Sequence, residues 1–360
     1  MKVAHIINSM FTGGAENLIV ESVSVFQKKD FLVDVILLNG SQTPFLNKLK
    51  ATNCSVFSLS TSSVYSPFLI FKIIPFLRKY QVIHVHLFPA LYWVAIAKLV
   101  TFSKVKLVYT EHGTSNRRMK SKFFAPIDRF IYSFYDKIIT ISDDVDLAIK
   151  NVLKCDYNKF ELIKNGINLD KIKSATPYFE GVFAKPLCEK FLFQFSSFQY
   201  PKDQKTVIKS LLHLPQNVQL FLVGDGILKS ECEIFVKSLN LQNRVHFLGI
   251  RMDVPNLLKT ADIIVLSSHH EGLSLASIEG LASEKPFVCS NVPGLREVVS
   301  GAGLLFEDKN ERSLSEIVIN LLENETYYNQ TVLKCLERAK TFDIDSMIEK
   351  EINLYKKLHS

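Results

Sequence analysis

Glu271 and Glu279 stand eight residues apart in the stretch SSHHEGLSLASIEGLASEKPFVCSN, with His269 and His270 directly before the first. The preceding DIIVLSS reads as a buried strand and LSLASIEGLASE as a helix with Ser274 as its N-cap. Glu271 therefore falls on a strand-to-helix turn, Glu279 about five residues inside the helix, and both can face a crevice. A carboxylate near a helix start is also what ordinary dipole complementarity gives. Two glycine pairs add a second kind of chemistry. Gly13 and Gly14 in FTGGAEN open a helix after the first strand, and Gly224 and Gly226 in VGDGILKSE follow a later one. In open α/β sheets the ligand sits at the C-terminal ends of strands, beside helix N-termini whose N–H groups suit anions. Neither pair forms G-x-G-x-x-G, so a dinucleotide is disfavoured, whereas together they favour a phosphate-bearing ligand.

These residues need a scaffold, and the hydrophobic pattern supplies one. Short apolar, β-branched runs at 3–7, 33–38, 82–86, 105–110 and 137–142 alternate with segments of helical period. A second series follows at 191–196, 218–224, 244–249, 262–267, 286–290 and 303–306. This βαβα order predicts an α/β protein of two doubly wound parallel sheets. The weakly periodic stretch from Ile167 to Lys190, with Asn, Ser, Thr, Pro and Gly, places the boundary near residue 175.

Bulk properties narrow the class. A chain of 360 residues, 47% apolar, can bury a large core. Six cysteines without a C-x-x-C pair argue against a disulfide framework or a zinc site and for a reducing, cytoplasmic setting. The N-terminus lacks the apolar core of a signal peptide. The apolar run from Leu91 to Phe102, interrupted by Lys98, falls short of the roughly twenty residues a membrane span needs. Residues 1–170 hold 21 basic against 13 acidic residues, so the whole net charge of +7 sits in the first half. Such asymmetry fits an anionic membrane surface or a phosphorylated substrate. With no recognition helix, RNP motif or zinc finger in the sequence, nucleic acid is not expected as a partner.

Nearly the whole chain resembles the retaining, nucleotide-sugar-dependent glycosyltransferases of the GT-B fold, in particular family four, which includes bacterial capsule, exopolysaccharide and O-antigen enzymes. The resemblance is carried by GGAEN at 13–17, IHVH at 83–86, TEHGTSNRR at 110–118, ISDDV at 141–145, NGIN at 165–168, PKDQKTVI at 201–208, VGDG at 223–226, ADIIVLSSHHEGLSLASIEGLA at 261–282 and VPGLREVV at 292–299. It implies two Rossmann-like domains facing a cleft: 1–175 on the acceptor side, 176–342 binding the nucleotide sugar, and a helix at 343–360 returning to the N-terminal domain. The implied activity is hexosyl transfer from a nucleotide diphosphate sugar, UDP-linked by expectation, to a saccharide or lipid-linked saccharide acceptor in cell-envelope polysaccharide synthesis. No further cofactor and no metal are implied.

By the same resemblance Glu279 bonds the ribose hydroxyls and Glu271 those of the donor sugar. The amides of Leu273, Ser274, Leu275 and Gly14 hold the diphosphate with Lys202 as its cation, and His112 meets the sugar at the reacting centre. His84, His86, His269 and His270 are read as structural. The chemistry is coherent, since a ribose diol donates two hydrogen bonds to a carboxylate and a leaving diphosphate needs N–H groups and a cation. One departure stands out. Where the family has G-R-x-x-x-x-K, this chain has Ser196-Ser197-Phe198-Gln199-Tyr200-Pro201-Lys202, so Ser197 replaces a bidentate arginine. Arg251 and Arg296 are the candidate substitutes.

A retaining enzyme of the usual kind needs a carboxylate nucleophile. The family is thought to react on one face instead, so no protein nucleophile is assigned. There is no D-x-D ahead of a donor site, and SDDVD at 142–146 reads as a helix start. Two other classes stay open: a catalytically weak partner subunit, for which Ser197 argues, and a sugar-nucleotide epimerase on the same scaffold. Arg117, Arg118, Lys120 and Lys122, ahead of the aromatic stretch from Phe123 to Tyr135, describe a surface for anionic lipid at the cytoplasmic face of a membrane.

Overall fold

The computed structural model describes residues 1–11, 13–113, 124–153, 157–180, 183 and 189–359. The chain divides into two compact units, Met1–Gly166 with Ile344–Ser360, and Ile167–Asp343. The division comes ahead of residue 175 because Ile167 already bonds within the second unit, its N–H donating to the Phe342 carbonyl at 2.9 Å. Asn168 then caps a short helix, Leu169–Lys173, and the Tyr178 hydroxyl donates to Asp253 at 2.6 Å.

In the N-terminal unit the strands are β1 (Val3–Ile7), β2 (Val33–Leu37), β3 (Val56–Ser58), β4 (Val82–His86), β5 (Lys106–Glu111), β6 (Lys137–Thr140) and β7 (Phe160–Leu162). They form one parallel sheet in the order β3-β2-β1-β4-β5-β6-β7. β1 and β4 are buried along their whole length, which is why both read as unbroken apolar or histidine-bearing runs. The edge strands β3 and β7, three residues each, were not expected; so short a run carries no readable period. The C-terminal helix Ile344–His359 belongs to this unit, as the fold resemblance implied. It buries Met347, Ile348, Ile352, Leu354 and Tyr355. On its outer side Lys29 bonds Glu349 at 2.8 Å and Asp345 at 3.4 Å.

The C-terminal unit holds β8 (Lys190–Phe195), β9 (Val218–Val223), β10 (Val245–Gly249), β11 (Ile263–Leu266), β12 (Phe287–Ser290) and β13 (Leu304–Phe306). Their parallel order is β10-β9-β8-β11-β12-β13. The winding reverses between β8 and β11, the place where an open sheet leaves a crevice for a ligand. The loops leaving these two strands are stitched together. Lys202 and Ser268 form an antiparallel bridge, the Asp203 N–H donates to the Ser267 carbonyl at 3.0 Å, and the His269 N–H to that of Pro201 at 2.9 Å.

The β9 loop crosses closely over the β8 loop. At Gly224 (φ +139°) a Cβ would lie 2.1 Å from the Ser196 carbonyl oxygen, and at Gly226 (φ +155°) 2.4 Å from that of Phe198. Glycine at both positions thus has a packing reason of its own. Among the described residues no helix is long and apolar enough to cross a membrane. Gly224→Ala should lower the urea stability by about 2 to 3 kcal/mol, through strain and backbone clash. Gly301→Ala, at a positive φ of 75° but with nothing within 4 Å, should cost only about 1 kcal/mol. Equal losses in the two variants would show that the loop crossing is not what demands glycine.

Candidate active site

The crevice of the C-terminal unit is built on a polar layer at the end of β8. Gln194 donates to Ser196 Oγ at 2.9 Å, and Gln204 donates to the same hydroxyl at 3.0 Å and to the Ser197 carbonyl at 2.9 Å. Both glutamines are buried, so the loop backbone is held by amides that water does not reach. At the end of β11, Ser290 Oγ receives the Ser268 N–H at 3.0 Å and donates to the Ser268 carbonyl at 2.6 Å. The hydroxyls of Ser267 and Ser268 are buried, with no hydrogen-bond partner among the described residues.

Across this layer Lys202 Nζ forms an ion pair with Glu271 Oε1; the two side chains are 14% and 11% exposed. Glu271 is fixed through its backbone, with its N–H donating to the Pro293 carbonyl at 3.3 Å. Gly294, with φ +82°, lets that segment approach, since a Cβ there would stand 2.4 Å from the Glu271 carbonyl oxygen. Sequence reasoning missed Gly294 as a shaping residue, although VPGLREVV carried the signal. Ser274 stands at the N-cap of Leu275–Ala282, and its side chain makes no capping hydrogen bond. Leu273 is buried, while Ser274, Leu275 and Glu279 are half-buried. Ser197, Lys202, Gly224, Glu271, Leu273, Ser274 and Leu275 therefore lie on the loops that surround the switch point or at the helix start beside it.

The two arginines named as substitutes for the one replaced at Ser197 are both engaged elsewhere. Arg251 is held by both oxygens of Asp253, whose carboxyl its guanidinium pulls down to about 2. Arg296 donates to Asn291 Oδ1 at 2.7 Å. His269 bonds Asp308 at 3.1 Å, and together with Asp203 these offer ligand atoms within 4.8 Å of one another. Asp203 is already used as a helix cap, receiving the Thr206 N–H at 3.2 Å and its hydroxyl at 2.6 Å.

In the N-terminal unit Gly13 is the extended N-cap of the helix Gly14–Lys28, and both glycines are exposed. Glu16, overlooked in the sequence, fills the space where a Gly13 side chain would stand, and burial raises its carboxyl to about 7. His112 follows β5 and is bonded through Nε2 to His86 Nδ1 at 3.2 Å; His86 Nε2 meets His5 Nδ1 at 3.0 Å. His84 bonds the Tyr355 hydroxyl through Nδ1 and that of Thr110 through Nε2, each at 2.6 Å. His5, His84 and His86 are close enough together for a metal ion, but both nitrogens of His84 are engaged by hydroxyls. Burial lowers His112 to about 4 and His5 to about 3, and holds His84 and His86 well below their ordinary value.

The aromatic stretch after the basic cluster has two faces. On the helix Phe124–Ser133, Phe124, Ile127 and Phe130 are exposed while Ile131 and Tyr132 are buried, as is Tyr135 beyond it. Tyr132 donates to Glu111 at 2.6 Å and Tyr135 to the Leu91 carbonyl at 2.7 Å, so these two rings belong to the core. Arg117, Arg118, Lys120, Lys122 and Phe123 lie outside the described residues. SDDVD does start a helix, Asp143–Leu153, with Ser142 Oγ receiving the Val145 N–H at 3.2 Å.

The buried histidines make the fold sensitive to acid. Below their ordinary value of 6.5 the unfolded chain binds protons that the folded chain refuses until about 4 at His112 and about 3 at His5. Stability present above pH 6.5 is thus lost as pH falls. Glu16 and Glu351, both raised to about 7, act oppositely, since the folded state binds their protons first between 7 and 4.5. With five histidines lowered by burial, His246 among them, against two such glutamates among the described residues, the thermal midpoint should fall on acidification from pH 6.5 to about 4. A midpoint that stays level or rises would contradict this.

Residues 12–171 match the family model for Glycosyltransferase Family 4, and residues 179–340 that for Glycosyl transferases group 1. The chain is 27% identical over 360 aligned residues to the N-acetylgalactosamine-N,N'-diacetylbacillosaminyl-diphospho-undecaprenol 4-alpha-N-acetylgalactosaminyltransferase of Campylobacter jejuni, covering 95% of this chain and 96% of that protein. It is 24% identical to the UDP-Gal:alpha-D-GlcNAc-diphosphoundecaprenol alpha-1,3-galactosyltransferase of Escherichia coli, with 97% and 98% covered. Among solved structures, HepE of Anabaena in complex with UDP and glucose superposes with a TM-score of 0.85 at 21% identity, over 99% of this chain and all of that one. With both units matched, the chain belongs to glycosyltransferase family four, the GT-B family that includes capsule and O-antigen assembly enzymes.

Proposed function

We propose that this protein transfers a sugar from a UDP-sugar to a saccharide carried on a lipid diphosphate, with retention at the anomeric carbon and without a metal ion. The observation that carries the reading is the Lys202–Glu271 pair set across the switch point of the C-terminal sheet, beside a helix start whose N-cap Ser274 makes no side-chain cap. Support for donor and acceptor class comes from the relatives, whose names specify undecaprenol diphosphate-linked acceptors and, in the Escherichia coli case, UDP-galactose.

In this reading the diphosphate lies at the start of Leu275–Ala282, where N–H groups of residues 273–275 and Lys202 receive the charge that develops on the leaving group. Glu271 accepts hydroxyls of the sugar and Glu279 those of the ribose. Ser197 withholds a second cation, so Lys202 carries the larger share of the electrostatic stabilisation. His112 is the contribution proposed for the N-terminal unit; kept neutral by burial, it can accept or donate one hydrogen bond without adding charge. No carboxylate is assigned as nucleophile: Glu271 is bound to a lysine, which weakens it for attack. Catalysis then rests on positioning and on diphosphate stabilisation. The exposed Phe124, Ile127 and Phe130 favour seating of the N-terminal unit on a membrane surface that presents the lipid-linked acceptor.

The deciding experiment offers UDP-sugars and undecaprenyl diphosphate-linked saccharides to the purified protein and reads the new glycosidic bond by NMR, with and without EDTA. An α-linkage from an α-configured donor, formed equally with chelator, is expected; an inverted product or loss of activity with EDTA would overturn those parts of the reading. Two variants test the residue roles. Glu279→Ala should weaken UDP binding by about 2 kcal/mol, the loss of a charged hydrogen bond. Glu271→Gln should bind bare UDP several-fold more tightly, because it releases Lys202 and removes an adjacent negative charge, yet turn over far more slowly. Weaker UDP binding in Glu271→Gln would show that Lys202 does not serve the diphosphate.

A further inference from the structure

The buried chain that begins at His112 does not end among the histidines. It runs from His112 through His86 (3.2 Å) and His5 (3.0 Å) to the Tyr355 hydroxyl (3.4 Å), and from there to Glu351 Oε2 (3.2 Å). Glu351 and Tyr355 sit one turn apart on the C-terminal helix, and both are buried. We propose that Glu351 is a positioning residue that sets, through this chain, which ring nitrogen of His112 carries the proton. The catalytic consequence rests on the role proposed above for His112, whereas the tautomer itself does not.

Donor and acceptor capacity dictates the order of the bonds. With Glu351 ionised, Tyr355 donates to it and accepts from His5 Nε2–H. His5 Nδ1 must then accept from His86 Nε2–H, and His86 Nδ1 from His112 Nε2–H, so His112 presents Nδ1 as an acceptor. With Glu351 protonated, it donates to the Tyr355 oxygen, and Tyr355 donates to His5 Nε2. Every later link reverses, and His112 presents Nδ1–H as a donor. The two states differ by one proton: it enters at His112 Nδ1, each link passes its own proton to the next, and Glu351 receives the one that leaves Tyr355, so each ring is neutral before and after. His84 is a fixed strut in both states: its Nδ1–H donates to Tyr355, and Nε2 accepts from Thr110.

Burial keeps the rings from charging and raises the Glu351 carboxyl to about 7, so the reversal falls near neutral pH. The groups that face Glu351 are Tyr355 on its own helix and, through Tyr355, His5 of β1 and His84 of β4. On the neighbouring helix Glu21 is paired with Lys48, and just beyond it Lys29 is taken by Glu349 and Asp345. Glu16 is raised to a similar value and must be separated experimentally.

The test is a pH titration of the full-length, ¹⁵N-histidine-labelled protein, reading ring tautomers by long-range ¹H–¹⁵N correlation. His112 should pass from Nδ1-protonated to Nε2-protonated as pH rises, with a midpoint near the value of about 7 for Glu351. Glu351→Gln and Tyr355→Phe should abolish the pH-dependent switch; Glu16→Gln should leave it in place. A single tautomer throughout in the wild type, or a switch that survives Tyr355→Phe, would overturn the proposal, and the wild-type titration decides the matter even if both variants fail to fold. In turnover, the same two variants should lose the neutral-pH inflection of kcat while KM for the donor is unchanged. If the tautomer switches but the kcat profile does not follow it, the relay stands and the catalytic role of His112 falls.

Discussion

Between β8 and β11 the connections of the C-terminal sheet leave in opposite directions, so two loops depart with no crossover helix filling the space between them. What the chain does with that gap governs the rest of the unit. It ties the loops with two backbone hydrogen bonds that make one antiparallel bridge and sets an ion pair, Lys202 with Glu271, over a buried layer of amides and hydroxyls. A part-buried pair of this kind contributes little to net stability, because desolvation offsets the attraction, yet leaving either partner alone is costly. It is better understood as a preset arrangement of one cation and one acceptor than as a brace. Gly224, Gly226 and Gly294 are the steric conditions for it, each allowing a backbone approach that a Cβ would block.

The N-terminal sheet reverses its winding between β1 and β4 and fills the same topological position in the opposite chemical way. Here the groups are histidines held neutral by burial, joined to one another and closed off by a tyrosine and a glutamate from the far end of the chain. Charge is paired at one switch point and avoided at the other. Such a network is worth having only when each member is satisfied, since an unpaired buried imidazole would bear the full desolvation cost. This explains why the last helix, remote in sequence, belongs to the first unit: Tyr355 is the bond partner that His84 and His5 require.

Most of the architecture was legible because buried parallel strands leave apolar runs, and eleven of the thirteen strands among the described residues announce themselves by such a run. The two missed, β3 and β7, are edge strands too short to show a period. Candidate site residues could be named where chemistry and turn type coincide, as at Glu271 and Lys202. Their direct pairing could not be, since it depends on two loops 69 residues apart meeting across a sheet. The glycines of VGDG were visible, but the neighbour they accommodate, a carbonyl of another loop, was not. His84 and His86 share a strand face by simple alternation, which the sequence displays; their partner Tyr355 follows 271 residues after His84 with no local pattern linking them. The basic residues 117, 118, 120 and 122 remain a reading of the sequence alone.

The central claim is that the nucleotide diphosphate is received at the β8–β11 switch point, and amide hydrogen exchange with and without UDP addresses it directly. The account predicts that UDP slows exchange in two separated segments of the C-terminal unit, the loop from Ser196 to Lys202 and the turn from Glu271 to Leu275, including the first-turn amides of the helix that follows. It further predicts that Lys202→Met removes protection from both segments together, because the two loops share one ligand. Protection confined to the β9–β10 side of the sheet, or a UDP effect that leaves the Glu271 turn unchanged, would contradict the account.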